Sequence, residues 1–175
     1  MVAVLGPPMT TATEIYPDYV AGTWKLDPPH SEVSFSVKHL MISKVRGTFD
    51  SFDVTITSAP DARDAHLRTS DFFQADEHPT MTFNSTSFDG DAANGKFTVA
   101  GNLTLRGITR EVTLLGEFGG VVTDGYGNTK AGATATTTIN RRDFGVAWNA
   151  AIEAGSMTLG DEVTITVDIQ VVLDK

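Results

Sequence analysis

From residue 23 onward, apolar and polar residues alternate in blocks long enough to be strands. In SEVSFSVKHL, Val33, Phe35 and Val37 fall on one side and Glu32, Ser34, Ser36 and Lys38 on the other. KFTVAGNLTLRG sets Phe97, Val99, Gly101, Leu103 and Leu105 against Thr98, Ala100, Asn102 and Thr104. EVTITVDIQVVL sets Val163, Ile165, Val167, Ile169 and Val171 against Thr164, Thr166, Asp168 and Gln170. A period of two places one set on each face of a pleated strand. Weaker patterns of the same kind, rich in β-branched residues, predict strands in VRGTFDSFDVTIT, TMTFNSTSF, ITREVTLLGEFG and KAGATATTTIN.

The connections are short. Asn94-Gly95 is a hairpin signal, Arg106-Gly107 joins two strands in two residues, and DGYGN at 124–128 is a Gly-rich loop. Arg141-Arg142 reads as a further turn. No stretch carries a long amphipathic helix pattern; DARDAHL has room for one or two helical turns, with Asp61 as N-cap. Many antiparallel strands joined by tight turns predict an all-β fold, and the longer strands favour a barrel over a sandwich. A barrel of about eight strands has room for one small ligand. Ala131, Ala133 and Ala135 share a face. Pointing inward they leave space for a ligand; pointing outward they leave a packed barrel, and both arrangements are open at this level.

Composition narrows the functions. A chain of 175 residues is most simply one domain, with residues 1–20 as a flexible tail and 21–175 as the barrel. The net charge of −9 argues against nucleic acid and against an anionic membrane surface. There is no cysteine, so disulfides and thiolate metal sites are excluded. No apolar run reaches the length of a membrane span, and the first residues lack the basic start of a secretory signal. The expectation is a cytoplasmic protein without membrane insertion.

RDAHLRTSDFF, at 63–73, breaks the alternation. Asp64 and His66 have the spacing of a pair that orients an imidazole for base catalysis, or of two metal ligands. No nucleophile motif and no second close histidine pair accompanies them; His30, His39 and His78 are scattered. The plainer reading is structural, with His66 bonded at a helix end. Phe72-Phe73 is either the anchor of a long loop or a plug over one mouth of the barrel. Lys38, His39, Lys44, Arg46, Arg63, His66 and Arg68 concentrate positive charge in two segments. These suit either an anionic headgroup or a solvated loop surface.

Taken together, GTWKLDPPHSEVSFSVKHLMISKVRGTF, RDAHLRTSDFFQADEHPTMTF, LTLRGITREVTL, INRRDFGVAWN and GDEVTITVDIQ resemble the YceI family, from about Gly22 onward. The resemblance implies a lipocalin-like antiparallel β-barrel whose apolar pore binds polyisoprenoid-type lipids, with a homodimer as the expected assembly. It implies a carrier and not an enzyme, with no catalytic residues, no metal and no cofactor other than the bound isoprenoid lipid as ligand. By that match Phe35, Val37, Phe49, Phe72, Phe73, Phe83, Leu103, Leu105, Phe144 and Trp148 are the expected ligand-binding residues. Arg46, Arg63, Arg68 and His66 are the expected headgroup contacts. The rival functions are an enzyme acting on a lipid phosphate with His66 as base, and a packed barrel serving as an interaction module.

The sequence departs from the family in one place. Members of the family carry a further strand between the segments matching DVTITSA and RDAHL, and here TSAPDARDAHL runs straight through. Loss of one strand from a meander leaves segments 54–57 and 81–88 as open edges, or requires residues 59–79 to cross over so that the two pair directly.

Overall fold

The computed structural model describes residues 23–39, 43–49, 66–91, 93–150 and 158–174. These residues form one antiparallel sheet. Its strands are β1 (Trp24–Leu26), β2 (Glu32–His39), β3 (Ser43–Phe49), β4 (Thr82–Asp91), β5 (Lys96–Leu105), β6 (Ile108–Thr123), β7 (Thr129–Asn140) and β8 (Leu159–Leu173). The spatial order is β3-β2-β8-β7-β6-β5-β4, and β1 continues the edge of β8 beyond β2. The sheet curls into a half-barrel: among the described residues β3 and β4, at its two ends, do not pair with each other. The tail 1–20 and the segments 54–57 and 59–65 lie outside the described residues.

The alternation sets the faces as the sequence predicts. Val33 and Phe35 of β2, Ile165 of β8, Ile139 and Ala135 of β7, Leu114 of β6, Leu103 and Leu105 of β5 and Phe83 of β4 are all buried on the inner face. Thr134, Thr136 and Thr138, the other parity of β7, are exposed. This settles the alanine question: Ala135 pairs with Gly116 and Val167, and the small face points inward.

Two aromatic rings on the inner face use neighbouring glycines. A Cβ on Gly101 would stand 2.5 Å from the Phe83 ring and 2.5 Å from the carbonyl oxygen of Asn84. A Cβ on Gly116 would collide with the ring of Phe97. Both rings therefore sit against the glycine backbone of the adjoining strand, in space that a side chain there would fill.

The turns follow their chemistry. Arg106 (φ 53°) and Gly107 (φ 70°) both adopt the left-handed region that a tight two-residue hairpin requires. Arg141 and Arg142 are not a simple turn. They open a 3-10 helix, Arg141–Phe144, capped by the Asn140 side chain, which accepts from the Arg142 amide. The apolar residue after the doubled arginine is the reason: Phe144, only 2% exposed, draws the segment into the core.

Candidate functional site

All strand ends near Leu105, Ile108, Asn140 and Leu159 lie at one end of the half-barrel. The connector from His66 to Thr80 covers this mouth. His66 and Leu67 are helical, and a chain of turns follows to Glu77. The Phe73 amide bonds the Leu67 carbonyl at 3.0 Å and the Phe72 amide bonds the Thr69 carbonyl at 3.1 Å. These bonds aim both rings at the sheet. Phe73 meets Phe35 edge-on at 5.9 Å, and Phe72 meets Trp148 at 5.2 Å.

Beneath the connector lies an apolar pocket of about 60 Å³. Phe35, Val37, Phe72, Phe73 and Leu105 line it, joined by Leu67, Met81, Ile139, Val146, Leu159, Val163 and Ile165, with Arg141 as the one polar residue. Phe83, Leu103 and Phe144 stand beside it in the contiguous core. Trp148 lies on the rim between Phe72 and His66. Phe49 pairs with Val33 at the end of β3, and its side chain is outside the described set. Val163 and Ile165 were legible from the period of β8; Met81, Val146 and Leu159 sit at strand ends and in a loop, where no period marks them.

Arg141 is the residue that sequence reasoning missed. It is 4% exposed. Its Nε donates to the Gly160 carbonyl at 2.9 Å, its Nη1 to the carbonyls of Val146 at 2.7 Å and Trp148 at 2.8 Å, and its Nη2 to Asp161 Oδ1 at 3.0 Å. One guanidinium thereby fixes the loop that carries Val146 and Trp148 to the mouth. Burial pushes its pKa down, and the facing charge of Asp161 opposes that shift. Asp161 is itself held below the ordinary carboxylate range, first by the hydrogen bond from Arg142 at 2.8 Å.

The charged candidates divide. His66 Nε2 lies 2.9 Å from Asp71 Oδ2, and its ring meets Phe72 and Trp148 edge-on, each at 5.0 Å. Its carboxylate partner is Asp71, five residues on, while Asp64 and Arg63 lie outside the described residues. Arg68 is exposed on the connector. Arg46 is opposite Ser36 and therefore on the outer face of the sheet, away from the pocket. Among the described residues no group of three or more His, Asp or Glu side chains could hold a metal ion.

A curled antiparallel sheet, apolar on its inner face and covered at one mouth by an aromatic connector, defines a barrel-type protein of the lipocalin-like class. The chain belongs to the YceI family: the family model for the YceI-like domain matches residues 24–171. A UPF0312 protein of Staphylococcus aureus (strain bovine RF122 / ET3-1) is 38% identical over 159 positions, covering 78% of this chain and 90% of the relative. Since 78% of 175 residues is about 136, about 22 of those positions have no residue here, enough for a strand and its turns. BcnA of Burkholderia cenocepacia has the same fold, with a TM-score of 0.64 at 21% identity, over 83% of this chain and 99% of that one. So does a polyisoprenoid binding domain from Saccharophagus degradans implicated in plant cell wall breakdown, with a TM-score of 0.62 at 13% identity, over 88% and 100%.

Proposed function

We propose that this protein binds and carries a long isoprenoid lipid of polyprenyl or quinone type, and that it performs no chemistry on it. The observation that carries the reading is the continuous apolar inner face running into an apolar pocket under Phe72 and Phe73. The polyisoprenoid binding domain of Saccharophagus degradans, which shares the fold, supports the ligand class. From Leu105 to Phe97 the inner face of β5 is about 27 Å long at about 3.4 Å per residue. It offers length for an extended chain. The pocket of about 60 Å³ has the volume of about two water molecules in the liquid. Ligand entry therefore requires lining side chains to move, and Phe72 and Phe73, carried by the connector, are the candidates at the mouth.

The driving force is burial of hydrocarbon. Each five-carbon unit gains about 3–4 kcal/mol gross, from about 0.8 kcal/mol per CH₂. Association costs about 4–15 kcal/mol. About four units are needed before binding is clearly favourable, so the site selects long chains. Titration with prenyl alcohols of increasing length tests this: affinity rises with length until the inner face is filled, and a flat series removes the burial mechanism.

Homodimerisation belongs to the same reading. Among the described residues β4 has no strand on the side away from β5, and an unpaired edge recruits a second chain. Sedimentation at micromolar concentration checks it. The enzymatic alternative has the His66–Asp71 pair in its favour. Recovery of a prenyl phosphate unchanged after prolonged incubation decides for the carrier, and phosphate release decides for the enzyme.

A further inference from the structure

Among the described residues three cations at the mouth end of the sheet have no ion-pair partner. Lys38 of β2 is directly opposite Lys44 of β3, and Arg46 is opposite Ser36. All three have the parity opposite to Phe35 and Val37, so they share the outer face, and all three are exposed. None makes an ion pair or a side-chain hydrogen bond with another described residue. The nearest acids on the neighbouring strand are Asp161 and Glu162 of β8. Asp161 is engaged by both Arg141 and Arg142, while Glu162 is exposed. Lys38, Lys44 and Arg142 border a groove of about 440 Å³ that Asp161 and Glu162 also line, three cations against two acids, with Arg46 beyond it on the same face. Val37 and Leu159 line both this groove and the apolar pocket, so the cationic surface adjoins the mouth.

Like charges directly opposite one another destabilise a strand pair. Basic side chains on an edge strand can block pairing with another sheet, which accounts for Lys44 and Arg46 on β3. It does not account for Lys38, because β2 is paired on both sides, by β3 and β8. In sequence the residues between Lys38 and Lys44 include Leu40, Met41 and Ile42, so apolar residues are flanked by cations.

We propose that the outer face of β2 and β3 at the mouth end is a peripheral docking surface for an anionic lipid bilayer. Basic clusters are drawn to the negative surface potential of such a bilayer over about one Debye length. The net charge of −9 repels the rest of the molecule from the same surface. Contact is thus confined to the patch, and the molecule is oriented with its mouth at the bilayer. The whole-chain charge argues against membranes only when it is spread evenly, and on this face Lys38, Lys44, Arg46 and Arg142 outnumber Asp161 and Glu162. The proposal holds whatever the pocket binds.

Sedimentation with sucrose-loaded vesicles of phosphatidylcholine containing about one-third phosphatidylglycerol tests it. The wild type is expected to pellet at low salt, to be released at about 0.5 M salt where screening reaches a few ångströms, and not to pellet with phosphatidylcholine alone. Lys38→Glu/Arg46→Glu is expected to weaken binding at least tenfold. Lys25→Glu/Lys96→Glu, at the other end of the sheet, changes net charge equally and is expected to retain binding. If the reversal variant misfolds, Lys38→Gln/Arg46→Gln takes its place with the same expected loss. Failure of the wild type to pellet at low salt, equal loss in both double variants, or binding unchanged by either overturns the proposal. So does heparin bound in solution more tightly than vesicles, which would make the patch a site for a soluble polyanion.

Discussion

Arg106 and Phe72, 34 residues apart, are joined by a hydrogen bond of 3.1 Å from the guanidinium Nη1 to the Phe72 carbonyl. The same nitrogen donates to the Gly145 carbonyl at 2.7 Å, and Nε donates to Gln74 Oε1 at 3.2 Å. A hairpin turn thus holds the connector on one side and the loop after Phe144 on the other. Charge-assisted bonds of this kind contribute about 1.5–3 kcal/mol each, and less where solvent reaches them. Arg106→Gln is expected to lower global stability by about 1–3 kcal/mol. Amide exchange should accelerate first in the connector around Phe72 and Phe73, and only later in β5 and β6. Uniform acceleration would show that Arg106 does not act on the connector.

Removal of the Arg141 side chain takes a donor from the carbonyls of Val146, Trp148 and Gly160, while Asp161 Oδ1 keeps its bond from Arg142. Arg141→Met preserves the stem and deletes the charge. Its expected cost is about 2–4 kcal/mol, from part-buried carbonyls left without this donor at about 1–3 kcal/mol each where water does not replace it. Because Arg141 holds the Trp148 carbonyl, the variant should also shift Trp148 fluorescence to longer wavelength at denaturant concentrations below the unfolding midpoint. In a Trp24→Phe background that signal belongs to Trp148 alone.

The acid limb of stability has named sources. Asp27 is held below its ordinary value of 3.8 first by the Lys130 side chain and then by His30, and Asp161 first by Arg142. A carboxylate with a lowered folded pKa stabilises above its unfolded value, and that contribution disappears as pH falls through the folded one. Lys130 is raised above 10.5, chiefly by Asp27, so its contribution is present below that value and is lost as pH rises through the folded one. Stability should therefore be level around neutrality, fall below about pH 4, and fall again above about pH 10. Asp27→Asn/Asp161→Asn is expected to flatten the acid limb measured by urea midpoint against pH. An acid limb unchanged by the double variant would remove both residues as its source.

The two ring-over-glycine contacts predict an order of effects. At Gly101 an added methyl meets backbone, the Asn84 carbonyl, as well as the Phe83 ring, and backbone cannot swing aside. At Gly116 the three nearest atoms all belong to the ring of Phe97. Gly101→Ala should cost about 1–3 kcal/mol through overpacking and Gly116→Ala less. Phe97→Leu is expected to rescue Gly116→Ala, whereas Phe83→Leu should not rescue Gly101→Ala. Denaturant midpoints of the six proteins check the order.

Phe73 offers a route to the ligand reading. It is only partly buried, so Phe73→Ala is expected to fold with a loss nearer the lower end of the 3–5 kcal/mol seen for core phenylalanines. Uptake of a fluorescent polyprenyl analogue should become several-fold faster, with equilibrium affinity changed much less. An unchanged uptake rate would show that Phe73 does not stand in the entry path.

Much of this was legible in the chain because period two depends on neighbours only. Val33, Phe35, Leu103, Leu105 and Ile165 declare their face from the residues beside them. The direction of Ala135 needed the ladder, since an alanine face suits either side until Leu114 and Val167 are seen around it. Arg141 was illegible because its acceptors at Val146 and Trp148 lie in an aperiodic loop. The bond from His66 to Asp71 depends on a turn that brings Asp71 back, and no spacing in the sequence marks it. The seat of Phe83 against Gly101 depends on the pairing of β4 with β5, which sets Phe83 opposite Leu103 and Ser85 opposite Gly101.

β8 lies between β2 and β7 although it follows every other strand in the chain. On the ribosome, the β2–β3 hairpin and the β4–β7 meander are therefore synthesised as two pieces that, among the described residues, share no ladder until β8 is made. At about 5–20 residues per second the interval between the end of β2 and the end of β8 is on the order of ten seconds. For that time both pieces hold apolar faces that β8 has not yet joined, and that interval is when they are most open to association with other chains.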